Sequence, residues 1–130
     1  MAALEYLPVL VNDGTCNHLI GQRMPNSSLP GTCGQFIDLR KIKYRFVIYC
    51  YPMTGQPGTN LPEGWEQILG ARGCTPQACS FHHLFHELQL LNTAVFGLST
   101  QTTAYQQEAK ARLHLPFELF SDEHQQFTAA

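Results

Sequence analysis

The sequence predicts an α/β fold in which a central, mainly parallel sheet is flanked by helices and preceded by an N-terminal hairpin. A continuous apolar run at residues 46–51 is rich in β-forming side chains, as in a buried strand. After residue 74 the apolar residues follow helical spacing. From residue 46 to residue 120 strand-like and helix-like segments alternate, which favours parallel strands joined by helices. The 130 residues, 44% of them hydrophobic, suit one domain.

The chain is expected to begin with an arm and a hairpin. Residues 1–23 are irregular and predict an arm laid over the domain, which occupies residues 24–130. At its start, residues 24–39 predict two short extended pieces around a turn at Gly31 to Gly34.

The apolar run and the stretch after it predict a strand and a long loop. Residues 46–51 are expected to form a central strand that is buried on both faces, with Cys50 packed in the core. The Gly- and Pro-rich stretch that follows predicts an inserted loop at residues 55–70, with Trp65 anchoring it to the body. A loop of this length in a compact domain is often functional.

The strongest prediction of local structure is a helix that begins near Cys74. Thr75 and Pro76 are favourable first-turn residues. The apolar positions with helical spacing are Ala78, Phe81, Leu84, Phe85, Leu88 and Leu91. On an ideal helix, Phe81, Phe85 and Leu88 define the face that packs on the core.

A second strand, a second helix and a third strand are predicted to follow. The second strand covers residues 94–99, and the helix covers residues 100–113 with Thr100 as its cap. Within that helix, Glu108 lies four residues before Arg112, a spacing that allows an ion pair.

A proline and a short apolar run predict where the second helix ends and where the third strand lies. Pro116 is expected to stop the second helix, and residues 117–120 to form the third strand. Ser121 and Asp122 are expected to start a further helix.

Charge and hydropathy exclude several classes of partner. The net charge is −2 and no basic patch is present, which argues against nucleic acid and anionic membranes. No apolar run approaches the roughly 20 residues that cross a bilayer. The N-terminus lacks the pattern of a signal peptide, so the expected location is the cytoplasm.

The cysteines indicate a catalytic or metal-binding role rather than a permanent structural disulfide. The sequence has five: Cys16, Cys33, Cys50, Cys74 and Cys79. An odd number without an export signal does not suit a secreted disulfide framework. In a reducing compartment a close pair is more often catalytic or metal-binding. Cys16 and Cys33 lie in turn-rich stretches and are expected to be surface thiols without a role.

The spacing of Cys74 and Cys79 suits a redox switch. Five residues of helix separate their Cα atoms by about 8 Å, whereas a disulfide spans about 4.4 to 6.8 Å. The sulfurs are also expected to face different ways, so a bond requires the first turn to unwind. Free N–H groups at the helix start favour an anionic sulfur at Cys74, and Arg72 adds positive charge. A thiolate attacks peroxide to give a sulfenic acid, which a second thiol converts to a disulfide.

Two other interpretations of these residues remain open. One treats Cys74 as a small core residue and Cys79 as a spare thiol. The other treats Cys79, His82, His83 and His86 as a metal site, because two of the histidines are one helical turn apart. Closed tetrahedral sites usually draw ligands from more than one element, so a solvated polar face is favoured and no metal is expected.

Several segments together resemble one protein family. GCTPQAC and the following SFHHLFHELQLLNTAVFGLST, the later TAYQQEAKARLHLPFELFSDE, and the earlier MPNSSLPGTCGQFIDL with RFVIYCYP carry the likeness. The chain thereby resembles the peroxiredoxins, in particular the bacterioferritin-comigratory or Q-type subgroup, over residues 24–130 apart from the inserted loop.

The resemblance implies a fold and an activity. The fold would be thioredoxin-like, and the activity would be thiol-dependent reduction of hydrogen peroxide and organic hydroperoxides. Cys74 matches the peroxidatic cysteine, and Cys79 matches the resolving cysteine of members that carry both on one helix. A thioredoxin-like reductant would regenerate the enzyme, and no metal or organic cofactor is implied.

The sequence departs from the family pattern at three places. The family places Pro, then Thr or Ser, then Cys within eight residues, whereas here Pro52 lies 22 residues before Cys74 and Ala71 replaces the hydroxyl residue. Thr54 is therefore the candidate hydroxyl. The family arginine comes from a later strand, so Arg72 is the candidate substitute.

The third departure is that the family's last strands and final helix have no counterpart in this sequence, so the chain is expected to be a C-terminally truncated relative. The strand at 46–51 would then have an open edge, which favours self-association or a covering partner. Two alternatives to a peroxidase follow: a thiol-disulfide redox protein with the same cysteines, or an inactive fragment.

Overall fold

The computed structural model describes residue 9 and residues 11–130, so residues 1–8 and 10 of the predicted arm lie outside the described part. The predicted hairpin is present: β1 (Ser28–Pro30) pairs antiparallel with β2 (Phe36–Asp38). Gly34, in the turn between them, has a φ of +84°, a conformation that glycine adopts without a steric penalty.

A three-stranded parallel sheet forms the centre of the domain. Its strands are β3 (Arg45–Cys50), β4 (Thr93–Ser99) and β5 (Leu119–Ser121), in the order β3-β4-β5. Two helices make the crossovers, α1 (Cys74–Leu90) between β3 and β4, and α2 (Thr103–Arg112) between β4 and β5. The predicted alternation of strands and helices is therefore confirmed.

The central strand is β4, not β3, so the expectation of a central strand at residues 46–51 was wrong, whereas the open edge that the resemblance implied for this strand is present in the described residues. Within the described residues β3 pairs with β4 alone, whereas β4 pairs on both sides. Side chains of β3 consequently reach solvent: Val47 is 36% exposed, and Cys50 is exposed rather than packed in the core. An apolar run predicts burial but does not reveal which strands will lie beside it.

Each face of the sheet carries a separate apolar cluster. On one face, α1 packs against a cluster that includes Tyr49, Val95 and Phe117, and the predicted stripe of α1 is confirmed by the packing of Phe81, Phe85 and Leu88 there. On the other face the hairpin helps to cover a second cluster, which contains Leu29, Leu39, Phe96, Leu98 and Phe120. The first cluster fixes α1, and with it Cys74, on the sheet.

Helix α2 starts later than the sequence suggested. Thr102 rather than Thr100 is its cap: the Thr102 backbone is extended, and its hydroxyl accepts a 3.2 Å hydrogen bond from the N–H of Tyr105. The predicted ion pair between Glu108 and Arg112 is present at 2.8 Å.

The segment after α2 also differs in detail from the expectation. The third strand covers Leu119–Ser121 and not residues 117–120. No helix follows Ser121 in the described chain. Turns occupy this stretch instead, because the carboxylate of Asp122 accepts hydrogen bonds of 3.0 Å each from the N–H groups of Phe127 and Thr128. None of the described helices is long and apolar enough to span a membrane.

Candidate active site

Cys74 is the first residue of α1, as the sequence predicted. A short 3-10 turn, Ala71–Gly73, leads into the helix. The Cys74 side chain is only 7% exposed and packs in the same cluster as Tyr49, Tyr51 and Ala78. A sulfur at this position lies where backbone N–H groups of the first helical turn have no partner within the helix. The arrangement suits an anionic sulfur better than an ordinary core position would.

Cys79 lies in the same helix and is half-buried. Both Cys74 and Cys79 are free thiols. Burial raises the pKa of Tyr49, and the charges of Tyr51, Cys79 and Cys74 raise it further. The helix is continuous from residue 74 to residue 90, so disulfide formation between the two would require its first turn to open. The predicted opposite orientation of the two sulfurs stays a prediction.

Two stacked tyrosines form the wall beside Cys74. The rings of Tyr49 and Tyr51 have centroids 5.6 Å apart, and Tyr49 also stacks on Phe81 of α1 at 4.7 Å. The pKa of Tyr51 is raised to about 12, mainly by burial. The nearby Cys74 also raises this pKa, whereas the hydrogen bond that Gln106 donates to the Tyr51 hydroxyl lowers it. Both phenols therefore stay protonated at neutral pH.

Thr54 is buried at the point where the chain leaves β3. It is 3% exposed, and Oε1 of Gln101 accepts hydrogen bonds from its N–H at 3.2 Å and from its hydroxyl at 3.3 Å. The hydroxyl proton is thus engaged by Gln101, while the oxygen remains free to accept a further hydrogen bond. Sequence reasoning selected Thr54 but missed Gln101, because 47 residues separate them.

Pro52 lies apart from the other predicted site residues. Its carbonyl accepts a 3.1 Å hydrogen bond from the Ser99 hydroxyl. Together with Cys50 and Leu98, Pro52 lines a cavity at the end of the sheet. The next residue, Met53, lines a different cavity, which lies beside the inserted loop. Pro52 therefore borders the candidate site without facing it.

A cavity of about 390 Å³ lies between the inserted loop, the start of α1 and the end of α2. The residues that line it are Met53, Gly55, Gln56, Pro57, Thr59, Leu61, Trp65, Ala71, Arg72, Thr75 and Arg112. Ala71, Arg72 and Thr75 are close neighbours of Cys74 in the chain, so the cavity reaches the beginning of α1. Thr54 lies between two of its lining residues in sequence, Met53 and Gly55.

The two arginines at this cavity are held differently. Arg72, which the sequence singled out, forms an ion pair with Glu66, and its side chain is 71% exposed. Arg112, which sequence reasoning did not place in the site, is half-buried and bonds to both Glu108 and the carbonyl of Gly55, at 2.8 Å and 2.7 Å. The helical spacing of Glu108 and Arg112 was visible in the sequence, but the contact with the loop was not.

The histidine face of α1 shows no metal-like arrangement. In the described part of the chain, no group of three or more His, Cys, Asp or Glu side chains is placed to hold a metal ion. His83 and His86 are exposed, and the rings of His82 and His83 stack loosely with centroids 6.1 Å apart. The face matches a solvated polar surface.

Sequence comparisons find similar proteins over most of the chain. The family model described as Redoxin matches residues 19–130. A putative chloroplastic peroxiredoxin Q of Oryza sativa subsp. indica is 33% identical over 79% of this chain and 41% of its own length. A putative peroxiredoxin bcp of Coxiella burnetii is 31% identical over 79% of this chain and 59% of its own. The chain thus spans about half the length of these relatives.

Solved structures show the same fold. Peroxiredoxin Q of Xanthomonas campestris superposes with a TM-score of 0.67 at 21% identity, covering 85% of this chain and 63% of that one. Peroxidoxin BcpB of Mycobacterium tuberculosis gives a TM-score of 0.67 at 22% identity, covering 84% and 62%. The expected thioredoxin-like peroxiredoxin fold is therefore confirmed over the matched part.

Proposed function

Because the chain belongs to the redoxin family, we propose that it carries the reaction centre of a thiol-dependent peroxidase for hydrogen peroxide and organic hydroperoxides. The observation that carries the proposal is the position of Cys74. It is a buried free thiol at the first residue of a 17-residue helix, it packs in one cluster with Tyr49 and Tyr51, and its chain neighbours Arg72 and Thr75 line a cavity. The names of the relatives, peroxiredoxin Q and peroxiredoxin bcp, support the same reaction.

The first step oxidises Cys74. Its thiolate attacks one peroxide oxygen, so an S–O bond forms while the O–O bond breaks. The other oxygen leaves as alkoxide or hydroxide and takes up a proton, which yields an alcohol or water and a sulfenic acid at Cys74. In this proposal the Thr54 oxygen accepts a hydrogen bond from the peroxide, and Arg72 contributes positive charge at the cavity. Pro52 helps to position the Thr54 segment.

The second step uses Cys79. Once the first turn of α1 has opened, the Cys79 thiolate attacks the Cys74 sulfur. An S–S bond forms, the S–O bond breaks, and the departing hydroxide is protonated to water. A thioredoxin-like dithiol then reduces this disulfide by exchange and becomes oxidised itself. These steps need no metal or organic cofactor, and the cytoplasm is the proposed location.

Mapping of the thiols after oxidation tests the assignment. Reduced protein receives one equivalent of hydrogen peroxide, and mass spectrometry then identifies the modified cysteines. We expect a disulfide between Cys74 and Cys79 in the wild type, and a trapped sulfenic acid at Cys74 in Cys79→Ser. The matched control is Cys33→Ser, which removes an exposed thiol outside the site and should behave as the wild type does. A Cys74→Ser protein that consumes peroxide at the wild-type rate would refute the assignment.

A further inference from the structure

We propose that the inserted loop and the end of α2 form a binding site for the uncharged, apolar tail of an organic hydroperoxide. Trp65 is the specificity-determining side chain of this site, and Arg112 is a positioning residue. The proposal rests on the peroxidase function proposed above and assigns a role to residues 55–70, which that function leaves without one.

The size of the cavity suits an organic substrate. Its volume is about 390 Å³, within the range of roughly 300 to 1,000 Å³ that is usual for small-molecule sites. An apolar cavity of about 150 Å³ already accommodates benzene. Hydrogen peroxide is much smaller and gains nothing from most of this space. The cavity therefore favours a substrate that carries an organic group.

The lining of the cavity gives the bound substrate a direction. Trp65 and Leu61 of the loop, with Met53 and Pro57, provide apolar surface. Thr75 lies at the start of α1, next to Cys74. A hydroperoxide bound here would place its tail along the loop and its O–O group toward the helix start. Burial of an aromatic or branched alkyl group against an indole ring is favourable because it removes apolar surface from water.

The charges at the cavity favour a neutral tail over an anionic one. Both guanidinium groups already have carboxylate partners, Arg72 with Glu66 and Arg112 with Glu108. A carboxylate on the substrate would have to compete with these pairs, and it would approach Glu66 and Glu108 as a like charge. The site therefore suits an uncharged hydroperoxide better than a fatty-acid hydroperoxide with a free carboxylate.

Arg112 fixes the loop at its first residue. Its Nη2 donates a 2.7 Å hydrogen bond to the carbonyl of Gly55, while its Nε donates to Glu108 at 2.8 Å. One planar guanidinium thereby joins α2 to the segment that follows Thr54. Glutamine is too short and has too few donors to make both contacts. Loss of the contact would free the loop wall without removing any group that touches peroxide.

Substrate discrimination provides the kinetic test. The ratio of kcat/KM for cumene hydroperoxide to kcat/KM for hydrogen peroxide is measured for the wild type, Trp65→Ala and Arg112→Gln. We expect Trp65→Ala to lower the ratio about tenfold, with little change for hydrogen peroxide, and Arg112→Gln to lower it by raising KM for the bulky substrate. Ile68→Ala, at an exposed loop position that does not line the cavity, should leave the ratio unchanged. An unchanged ratio in Trp65→Ala would overturn the proposal.

Fluorescence gives a test that does not depend on turnover. Trp65 is the single tryptophan of the sequence, so its emission reports on this cavity alone. Titration with cumyl alcohol, the unreactive alcohol that reduction of cumene hydroperoxide yields, should change the emission saturably in the wild type and more weakly in Arg112→Gln. The absence of a saturable change would overturn the binding site. An inactive chain that still binds cumyl alcohol would refute the peroxidase function instead and leave the binding site standing.

Discussion

The amide oxygen of Gln101 holds Thr54 by two hydrogen bonds, from the Thr54 N–H at 3.2 Å and from its hydroxyl at 3.3 Å. Gln101 lies between β4 and α2, whereas Thr54 follows β3. The contact therefore joins two neighbouring strand ends at the edge of the sheet where Cys74 also lies.

Replacement of Gln101 should lower both stability and activity. In Gln101→Ala the buried N–H and hydroxyl of Thr54 lose their acceptor, which costs about 1–3 kcal/mol. Urea unfolding should show this loss, and peroxide reduction should slow because the Thr54 oxygen is no longer fixed. Gln125→Ala, at an exposed position, is the control. An unfolding midpoint equal to that of the wild type would argue against a structural role for Gln101.

Removal of the Tyr49 hydroxyl should stabilise the protein. This hydroxyl is buried and has no hydrogen-bond partner in the described structure. Tyr49→Phe deletes the unpaired group and keeps the ring that stacks on Phe81, so we expect the free energy of unfolding to rise by about 1 kcal/mol. Tyr51→Phe is the matched comparison, because it removes a hydroxyl that accepts a hydrogen bond from Gln106. Equal destabilisation of both variants would mean that the Tyr49 hydroxyl forms a hydrogen bond, which would contradict the prediction.

Addition of a methyl group at Gly97 should destabilise the sheet. A Cβ built there would lie 2.5 Å from Cδ2 of Leu119 and 2.8 Å from the Tyr49 hydroxyl oxygen. We expect Gly97→Ala to cost about 1–3 kcal/mol in thermal or urea unfolding, because well-packed cores tolerate extra volume poorly. At Gly55 the nearest atom to such a Cβ, on Leu61, is 3.8 Å away. Gly55→Ala should therefore change stability far less, and equal losses would contradict the packing described here.

Acid should weaken the contact between the hairpin and α2. Burial alone would raise the pKa of Glu118, but hydrogen bonds from Lys110 and Thr32 and the charge of Lys110 outweigh it and lower the pKa below the ordinary 4.5. Because the pKa of Glu118 is lower in the folded protein than in the unfolded chain, its ionised carboxylate stabilises the fold at any pH above the unfolded-state pKa. This stabilisation is lost as the pH falls through the folded-state pKa.

The Glu118→Gln variant should therefore be less stable than the wild type at pH 7, and the difference should shrink below pH 4.5. Urea unfolding at a series of pH values measures it, with Glu87→Gln at an exposed position of α1 as the control. A difference that stays constant down to strongly acidic pH would show that the Glu118 charge does not stabilise the fold.

The sequence predicted what depends on local pattern. The start of α1 at Cys74 followed from a first turn with Thr75 and Pro76 and from helical apolar spacing, and the order of strands and helices followed from their alternation. The apolar run at residues 46–51 indicated burial on both faces, because such a run does not give the number of neighbouring strands. The open edge of β3 was expected only from the resemblance to the family, which implied that later strands are missing. The contact of Arg112 with Gly55 could not be predicted, because it joins residues 57 apart in the chain. The site is assembled from such distant contacts.

The rate at which Cys74 reacts with peroxide tests the central claim most directly. In Cys79→Ser, stopped-flow measurement gives the second-order rate constant for oxidation of Cys74 by hydrogen peroxide at pH 7. We predict a constant at least about a hundredfold above that of free cysteine, since the unpaired N–H groups at the helix start stabilise the reacting thiolate. A constant equal to that of free cysteine, or to that of the exposed Cys33 in the same protein, would contradict the account.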